Sequence, residues 1–283
     1  RKSGILEYYP TAESFQSVGG LEQLLAWFRV RAPVFAAASR YAGPPLPKGV
    51  LLVGIPGCGK SLCARALAGA WGVPLLRLDM GRVFAGIVGA AEANLRRAIA
   101  TAEAVSPCIL WLDEVEKGLA GTRGRGGGGV AARIFGALLN WLQEKRSPVF
   151  VAATANEIAS LPPELLRKGR FDEIFFVDLP SEEERRAIFA IQLAACGRDP
   201  ERFDLARCAA SSPGFSGAEI REAVISGLFR AFAGREQVPD RELRDEDLRV
   251  AIADIQPLSR ALAREMRAMV QWAQVHARPA SGG

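Results

Sequence analysis

The sequence predicts an α/β fold with a five-stranded parallel sheet, followed by a smaller all-helical domain. Five short apolar segments recur between residues 50 and 177, with helix-forming stretches between them. Most are near-continuous apolar runs, as expected of strands that a parallel sheet buries on both faces. After Pro180 the strand pattern ends and helix signals follow one another. We therefore expect an α/β domain over residues 1–180, with a lead-in over 1–20, and a helical domain over 181–283.

The predicted strands alternate with helices, which is the arrangement of an open parallel sheet with right-handed crossovers. They are Val50–Val53, Leu75–Leu78, Cys108–Leu112, Val149–Thr154 and Glu173–Val177. In such sheets ligands gather at the edge where the strands end. Polar residues at these strand ends are therefore candidates for a binding site.

Capping signals and periodicity predict the helical domain. Ser181–Glu184 is a capping box that opens a helix to about Ala195, and Ser216–Glu219 opens another to about Phe232. A third helix begins near Asp245, and no strand is predicted in this domain. A terminal helix carries an apolar face, formed by Leu258, Leu262, Met266, Met269 and Ala273. This helix either packs on its own domain or contacts another subunit.

Composition and charge are those of a soluble globular protein. Of the 283 residues, 49% are hydrophobic and 24% are charged. No uninterrupted apolar stretch is long enough for a membrane span. The net charge of +5 is spread along the chain, so it does not favour a nucleic-acid partner. Because the first residue is Arg1 rather than Met, we expect a trimmed or processed chain.

Cysteine and histidine usage narrows the chemistry. Five cysteines, without a C-x-x-C pair, indicate reduced thiols in a cytosol-like compartment. That compartment would be a bacterial cytosol, or a plastid stroma if the chain is algal. The one histidine, His276, lies in the tail, which leaves little room for histidine-based catalysis.

A phosphate-binding loop follows the first predicted strand. Residues 54–61 read G-I-P-G-C-G-K-S, which matches the P-loop (Walker A) pattern G-x-x-x-x-G-K-S. Its glycines let the backbone wrap a polyphosphate with N–H groups pointing inward, and the following helix adds its positive N-terminal end. The alternative is a glycine-rich turn that binds nothing, which the full pattern in a strand–loop–helix setting disfavours.

This loop supplies most of the predicted nucleotide-binding residues. Lys60 would reach the β- and γ-phosphates, and the Ser61 hydroxyl would join the coordination shell of Mg²⁺. From the loop alone we therefore expect a nucleotide such as ATP or GTP, with Mg²⁺, as the ligand. The predicted binding set in the loop is Gly54, Pro56, Gly57, Cys58, Gly59, Lys60, Ser61 and Leu62.

Polar side chains also end the third and fourth predicted strands. Asp113 and Glu114 follow an apolar run, so a parallel sheet would place them beside the phosphates. Asp113 would hold Mg²⁺ through water, and Glu114 would orient and deprotonate the attacking water. Asn156 would hydrogen-bond that water or the γ-phosphate. The alternatives are solvated acids and an asparagine that only forms a turn.

A basic turn precedes the last predicted strand, with Arg167, Lys168 and Arg170 in three of four positions. It is either a solvated turn or a source of guanidinium groups that stabilise charge on a transferred phosphoryl group. These residues alone leave both interpretations open.

The ordered set of motifs resembles the AAA ATPase clade. It comprises Ser17–Leu21, the P-loop, the apolar-Asp-Glu run, Ala155–Asn156, Arg167–Asp172 and Gly214–Ala218. The resemblance covers residues 15–255. It implies a P-loop NTPase core of the αβα type, a four-helix lid, and a hexameric ring that binds ATP between subunits.

The resemblance also assigns roles to single residues. Val18 and Gly19 would flank the adenine, and Gly217 and Ala218 would lie in the lid near the nucleotide. Asn156 would be the polar sensor residue.

The resemblance further implies that activity depends on assembly, because Arg167 and Arg170 would be arginine fingers that reach the γ-phosphate of a neighbouring subunit. The expected function is Mg²⁺-dependent ATP hydrolysis by a ring that remodels a protein partner. One alternative is an ATP-gated switch or assembly scaffold. The other is a nucleic-acid-associated ATPase, which the diffuse charge disfavours.

Further phrases resemble one family within the clade, the AAA ATPase encoded as a hypothetical reading frame in algal plastids and cyanobacteria. Its members carry an additional N-terminal region. The phrases are Leu51–Ile55, Gly86–Gly89, Ser106–Trp111, Lys168–Phe176 and Ile255–Leu258.

Two positions depart from the clade's pattern. Protein-threading members present a basic and an aromatic residue to the ring's pore, but Gly86 and Ile87 stand there in this chain, which weakens the threading hypothesis. An unknown protein client would contact Ile87 in the pore. Cys58 replaces the usual threonine, and the helix N-terminus would lower the pKa of its thiol. An oxidation switch at Cys58 is one hypothesis, and an incidental substitution is the other.

Overall fold

The chain forms a seven-stranded sheet flanked by helices, with further helices after the sixth strand. The computed structural model describes residues 5–36, 44–84, 88–117, 128–161, 163–167, 169–233 and 242–282. The strands are β1 (Leu6–Tyr9), β2 (Gly49–Gly54), β3 (Leu75–Asp79), β4 (Cys108–Asp113), β5 (Val149–Ala155), β6 (Glu173–Val177) and β7 (Arg278–Pro279).

Helices cover both faces of the sheet and make up most of the C-terminal part. They are α1 (Glu22–Ala36), α2 (Lys60–Trp71), α3 (Met80–Phe84), α4 (Val88–Val105), α5 (Gly128–Glu144), α6 (Glu182–Ala195), α7 (Leu205–Ala210), α8 (Gly217–Ala233), α9 (Asp245–Asp254), α10 (Leu258–Ala261) and α11 (Ala263–His276). Short 3₁₀ turns lie at Phe15–Ser17, Ile158–Ser160, Pro163–Leu166 and Pro200–Arg202.

The strand order is β1-β3-β4-β5-β2-β6-β7, and all neighbours are parallel except β1, which runs antiparallel to β3. The five central strands are those that the sequence predicts, so the α/β fold class is confirmed. The sheet is larger than expected, because β1 and β7 extend its two edges. The prediction that no strand follows Pro180 is wrong. Strand β7 has only two residues, too few for a hydropathy pattern, and it forms by pairing with β6.

Alternate residues of the central strands enter two separate cores. Leu51 and Val53 of β2 belong to one core, which α4 and α5 cover. Val50 and Leu52 point to the opposite face and belong to a second core, which α1 and α2 cover. This two-sided burial explains why the strands read as continuous apolar runs rather than as alternations.

The helical part has its own core, built from α6 to α9 with Phe189, Ile220 and Leu248 at its centre. Its first helix begins where the sequence predicts. The Ser181 hydroxyl accepts a hydrogen bond from the Glu184 N–H (3.2 Å), and the Glu184 carboxylate accepts one from the Ser181 N–H (2.8 Å). The domain boundary at Pro180 stays a prediction.

The terminal helix α11 reaches back to the sheet. Trp272 packs against the core that α4 and α5 cover, which corrects the expectation that this helix packs on the helical domain alone. Beyond α11 the chain is fastened by two backbone hydrogen bonds of Ala280, to the Phe176 carbonyl (2.9 Å) and from the Leu24 N–H (3.0 Å). The subunit-contact alternative for α11 stays a prediction.

Candidate active site

The P-loop connects β2 to α2 by a turn that needs glycine. Gly54 has φ +148°, and a β-carbon there would overlap the carbonyl oxygen of Val177 on β6. Gly57 and Gly59 also have positive φ, +79° and +97°. Helix α2 begins at Lys60, so its unpaired first-turn N–H groups lie at the end of this turn. The segment therefore has the geometry of an anion site at a helix N-terminus.

Lys60 is buried inside the loop, with 5% of its surface exposed. Its Nζ donates to the carbonyl oxygens of Gly54 (2.8 Å) and Ile55 (2.7 Å). Burial lowers the pKa of Lys60 to about 8. Two of the three ammonium donors hold the side chain in place, which leaves one for a phosphate oxygen.

Asp113 accepts three side-chain hydrogen bonds at the end of β4. Its Oδ1 accepts from the hydroxyls of Ser61 (3.1 Å) and Thr154 (3.0 Å), and its Oδ2 accepts from Arg77 Nη2 (3.1 Å). A carboxylate beside a hydroxyl is an oxygen donor set of the kind that Mg²⁺ prefers. The residues therefore fit the ion, and Ser61 and Asp113 would hold it.

Glu114 directly follows the strand in a conformation that non-glycine residues rarely adopt, with φ +50°. Its backbone N–H donates to the Thr154 hydroxyl (3.0 Å). Its Oε1 accepts from Asn156 Nδ2 (3.1 Å), and its Oε2 forms an ion pair with Lys117. Unusual backbone angles that the surroundings hold in place are typical of functional positions. In this conformation the Glu114 carboxylate is hydrogen-bonded to Asn156.

Glu116 holds the backbone of Asn156 through a hydrogen bond. It is buried, with 6% exposed, and its Oε1 accepts from the Asn156 backbone N–H (3.0 Å). Burial raises the pKa of Glu116. Its Oε2 has no hydrogen-bond partner in the described part of the chain. Glu116 therefore links the backbone after β5 to the turn that carries Glu114.

One open cleft of about 320 Å³ collects these groups at the carboxyl ends of β2, β4 and β5. Because parallel strands end at the same edge, residues distant in sequence meet here. The cleft is lined by Pro56, Gly57, Gly59, Lys60, Ser61, Leu62, Arg65, Asp113, Glu114, Thr154 and Asn156. The predicted catalytic residues Lys60, Glu114 and Asn156 are thus neighbours. We call this region the phosphate end of the site.

A narrower cavity adjoins the P-loop on the side of the helical part, and we call it the base end. It is lined by Gly19, Leu21, Cys58, Asp178, Pro180, Glu184, Ile188 and Gly217. A β-carbon on Gly19 would lie 2.7 Å from Ile188 Cγ1, so this close approach requires glycine. Val18 is buried beside it, and the Ala218 N–H donates to the Gly57 carbonyl (3.0 Å).

Glu184 joins three segments at the base end. Its Oε1 accepts from the Leu21 N–H (3.1 Å) and from the Ser281 hydroxyl (2.6 Å), and its Oε2 accepts from Ser181. A β-carbon on Gly20, which has φ +89°, would overlap this carboxylate. The sequence predicts Glu184 as a helix cap, but its bonds to the lead-in and the tail depend on the tertiary structure.

Cys58 contradicts the prediction of an acidic thiol. Burial raises the pKa of Cys58 to about 12, and its Sγ lies 3.8 Å from the Pro56 carbonyl oxygen. The loss of water around the buried sulfur outweighs the nearby positive charge of Lys60, which lowers the pKa. The hypothesis of a thiol made reactive by the helix is therefore wrong. All five cysteines are free thiols.

The predicted arginine fingers do not line their own chain's cleft. Arg167 is exposed, and Arg170 Nη1 donates to the Glu164 carbonyl. Asp172 accepts from the N–H groups of Lys48 (2.7 Å) and Gly49 (2.9 Å), at the start of β2. The P-loop lies at the other end of this strand, about 17 Å away at the usual rise per residue. Lys168 and the predicted pore residue Ile87 lie outside the described residues.

The comparisons with known proteins agree with this architecture. Residues 50–179 match the model of the ATPase family associated with various cellular activities (AAA). This chain contains an AAA domain of the ATPase family. A solved structure of the AAA domain of FIGL-1 has a TM-score of 0.77 to this AAA ATPase at 21% identity, covering 98% of this chain and 94% of that chain, which shows a shared fold.

Relatives at higher identity include plastid proteins. This AAA ATPase is 45% identical over 270 residues to the AAA domain-containing protein ycf46 of Pyropia yezoensis, covering 95% of the chain and 54% of the relative. For ycf46 of Guillardia theta the identity is 43%, over 95% of the chain and 52% of the relative. The chain spans about half the length of these curated relatives, and the resemblance to the plastid family is confirmed.

A third relative has a different name. The ATP-dependent zinc metalloprotease FtsH of Pirellula staleyi is 34% identical, over 84% of the chain and 38% of that protein. Among the helices of the described residues, none has the length and apolar character to cross a bilayer.

The sequence alone did not identify four polar residues at the phosphate end of the site: Arg77, Thr154, Glu116 and Lys117. The first two carried a detectable signal. Arg77 is the one basic residue in the apolar run of β3, and it pairs in register with Trp111, two residues before Asp113. Thr154 lies in the strand next to Asp113. The other two follow the acid pair in the sequence, but only their contacts show which groups they hold.

Proposed function

We propose that this AAA ATPase hydrolyses ATP with Mg²⁺ as one subunit of a ring, and that hydrolysis remodels a protein partner. The observation that carries the proposal is the meeting of Lys60, Ser61, Asp113, Glu114 and Asn156 at one cleft. The FtsH relatives are named as ATP-dependent, which supports ATP as the nucleotide.

Each group at the phosphate end has one task in this proposal. The free N–H donor of Lys60 binds phosphate oxygens, while Glu114 orients the attacking water and accepts its proton. Asn156 holds the carboxylate of Glu114 through Nδ2. Ser61 and Asp113 would hold Mg²⁺, whose positive charge would polarise the phosphate oxygens.

At the base end, the lead-in and the helical part enclose the base in this proposal. Val18 and Gly19 flank the adenine from one side, and Gly217 and Ala218 lie on the other. The hydrogen bond between Ala218 and the Gly57 carbonyl supports this assignment, because it ties the start of α8 to the P-loop. Nucleotide contacts at the base end would therefore change the position of the helical part.

The trans role of the arginines is supported by their position. Arg167 is exposed, Arg170 donates to the Glu164 carbonyl, and neither lines the cleft of its own chain. A guanidinium supplied by a neighbouring subunit would stabilise charge on the transferred phosphoryl group. The rate per subunit should then rise with protein concentration as the ring assembles.

The first test is Glu114→Gln. This variant keeps the shape of the side chain but removes its basicity, so we expect turnover to fall by about 10²- to 10⁴-fold while ATP binding persists. Wild-type turnover in this variant would contradict the assignment of the base.

The same variant serves as a trap for partners in pull-downs with ATP and with ADP. A protein recovered with ATP but not with ADP supports remodelling. Recovery of the chain alone favours an ATP-gated switch or scaffold. Recovery of DNA or RNA that is lost steeply with added salt favours a nucleic-acid partner.

The second test mixes two inactive variants. A Glu114→Gln chain carries intact arginines, and an Arg170→Ala chain carries an intact cleft, so mixed rings contain some complete sites. We expect the mixture to recover part of the activity. The matched control mixes Glu114→Gln with Lys60→Ala, in which every cleft is defective, and it should recover none. Equal ATP turnover in the two mixtures would contradict the proposal that Arg170 acts at the site of a neighbouring subunit.

A further inference from the structure

Each carboxylate of the acid pair is bound to a cation that lies outside the recognised motifs. Asp113 pairs with Arg77 (3.1 Å), and Glu114 pairs with Lys117. Lys117 follows Glu114 by three residues, and its backbone N–H donates to the Glu114 carbonyl (2.9 Å), so a tight turn returns the lysine to the acid. The two pairs lie side by side at the phosphate end.

The two cations differ in how firmly they are held. Arg77 stands on β3, and its guanidinium lies 5.2 Å from the centre of the Trp111 ring, which adds a cation–π contact to the ion pair. The side chain of Lys117 is 65% exposed, against 34% for Arg77. A lysine on a flexible, solvated stem exchanges partners more readily than a stacked arginine. The pair on Asp113 is therefore the fixed one, and the pair on Glu114 can open.

Both carboxylate oxygens of Glu114 are engaged in the paired arrangement. Oε1 accepts from Asn156 Nδ2 and Oε2 contacts the Lys117 ammonium. A general base needs an oxygen that accepts a proton from water, and a bound ammonium opposes that transfer. Of the two contacts, only that of Lys117 is formed by an exposed side chain.

We propose that Lys117 is a releasable counter-ion that restrains Glu114 and thereby limits the basal rate of hydrolysis. The proposal rests on the proposed function, because it takes Glu114 as the general base. Lys117 acts through Glu114 and is a positioning residue rather than a catalytic one.

The test is Lys117→Met, which keeps the length of the stem but removes the charge. We expect kcat to rise about two- to fivefold, the range expected for loss of an exposed ion pair, with KM for ATP unchanged. Lys117→Arg retains a cation and should return kcat to the wild-type value. A surface control is Arg96→Met, which breaks the pair of Arg96 with Glu92 on α4 and should leave kcat unchanged. Thermal melting confirms that each variant is folded.

A second measurement separates this proposal from the proposed function. Lys117→Met should have no effect on turnover when Glu114 is already glutamine, because the restrained base is absent. If Glu114→Gln abolishes turnover and Lys117→Met leaves kcat unchanged or lowers it, Lys117 does not restrain the base. If Glu114→Gln turns over normally, the proposed function fails as well.

Discussion

The phosphate end and the base end of the cleft are built in different ways. At the phosphate end, three neighbouring strands of one sheet stop at the same edge and place Lys60, Asp113, Glu114 and Asn156 together. At the base end, the lead-in, the first helix after β6, the start of α8 and the chain's last residues meet. The phosphate end thus stands on one sheet with a core on each face, whereas the base end depends on contacts between four separate segments.

This contrast predicts which part of the molecule responds to nucleotide binding. In the proposed function, phosphate contacts would be made at a sheet with a core on each face, so we expect them to change its shape little. Contacts at the base end involve Glu184, which holds the lead-in, the helical part and the tail at once. Substitutions at the phosphate end should therefore act on binding and chemistry, and substitutions at the base end on stability and binding together.

Among the effects on ATP affinity, the largest is expected at the phosphate end, for Lys60→Ala. Loss of a charged donor to the phosphates should weaken ATP binding by about 10- to 100-fold, as measured by calorimetry. The matched control is Lys48→Ala at the opposite end of β2. Lys48 Nζ also donates to two carbonyls, of Gln143 (2.9 Å) and Gly169 (3.0 Å), but lies away from the cleft. Lys48→Ala should leave ATP affinity unchanged. If both variants lost the same affinity for ATP, the effect of Lys60→Ala could not be assigned to the phosphate end.

Gly20→Ala should break the base end instead. The new β-carbon would displace the Glu184 carboxylate from its donors, at a position where φ +89° already disfavours alanine. We expect the free energy of unfolding to fall by about 2 to 4 kcal/mol, with weaker ATP binding. Gly197→Ala is the control, because Gly197 has φ +69° but nothing within 4 Å. It should cost about 1 kcal/mol and leave ATP binding unchanged. Equal costs would show that the Glu184 junction contributes nothing.

The smallest effect is expected at Cys58, which lines the base end from within the P-loop. With a pKa of about 12, its thiolate fraction at pH 8 is on the order of 10⁻⁴, so iodoacetamide should label it slowly. The exposed Cys196 should be labelled first, as peptide mass spectrometry would show, and ATP turnover should persist. In Cys196→Ser the fast-labelled site should disappear. Rapid labelling of Cys58 with loss of turnover would restore the oxidation-switch hypothesis.

The predictions from sequence succeeded where a local pattern carries the information. Buried strands differ from helices by their short apolar runs, and polar residues at their ends were assigned to one edge because parallel strands require it. The same reasoning failed for the thiol of Cys58. Its pKa depends on how much water the folded chain removes, which the neighbouring residues in the sequence do not reveal.

By itself, the sequence determined the α/β class, the P-loop and the acids that accompany it, because backbone geometry and strand ends follow from residues that are adjacent in the chain. Only the tertiary structure decided the additional edge strands β1 and β7, the junction at Glu184 and the cations that pair with the acids. The Glu184 junction joins residues about 100 to 160 positions apart, and Lys117 reaches Glu114 only through the turn between them. Such contacts depend on where packing places each segment, and local sequence propensity does not determine that placement.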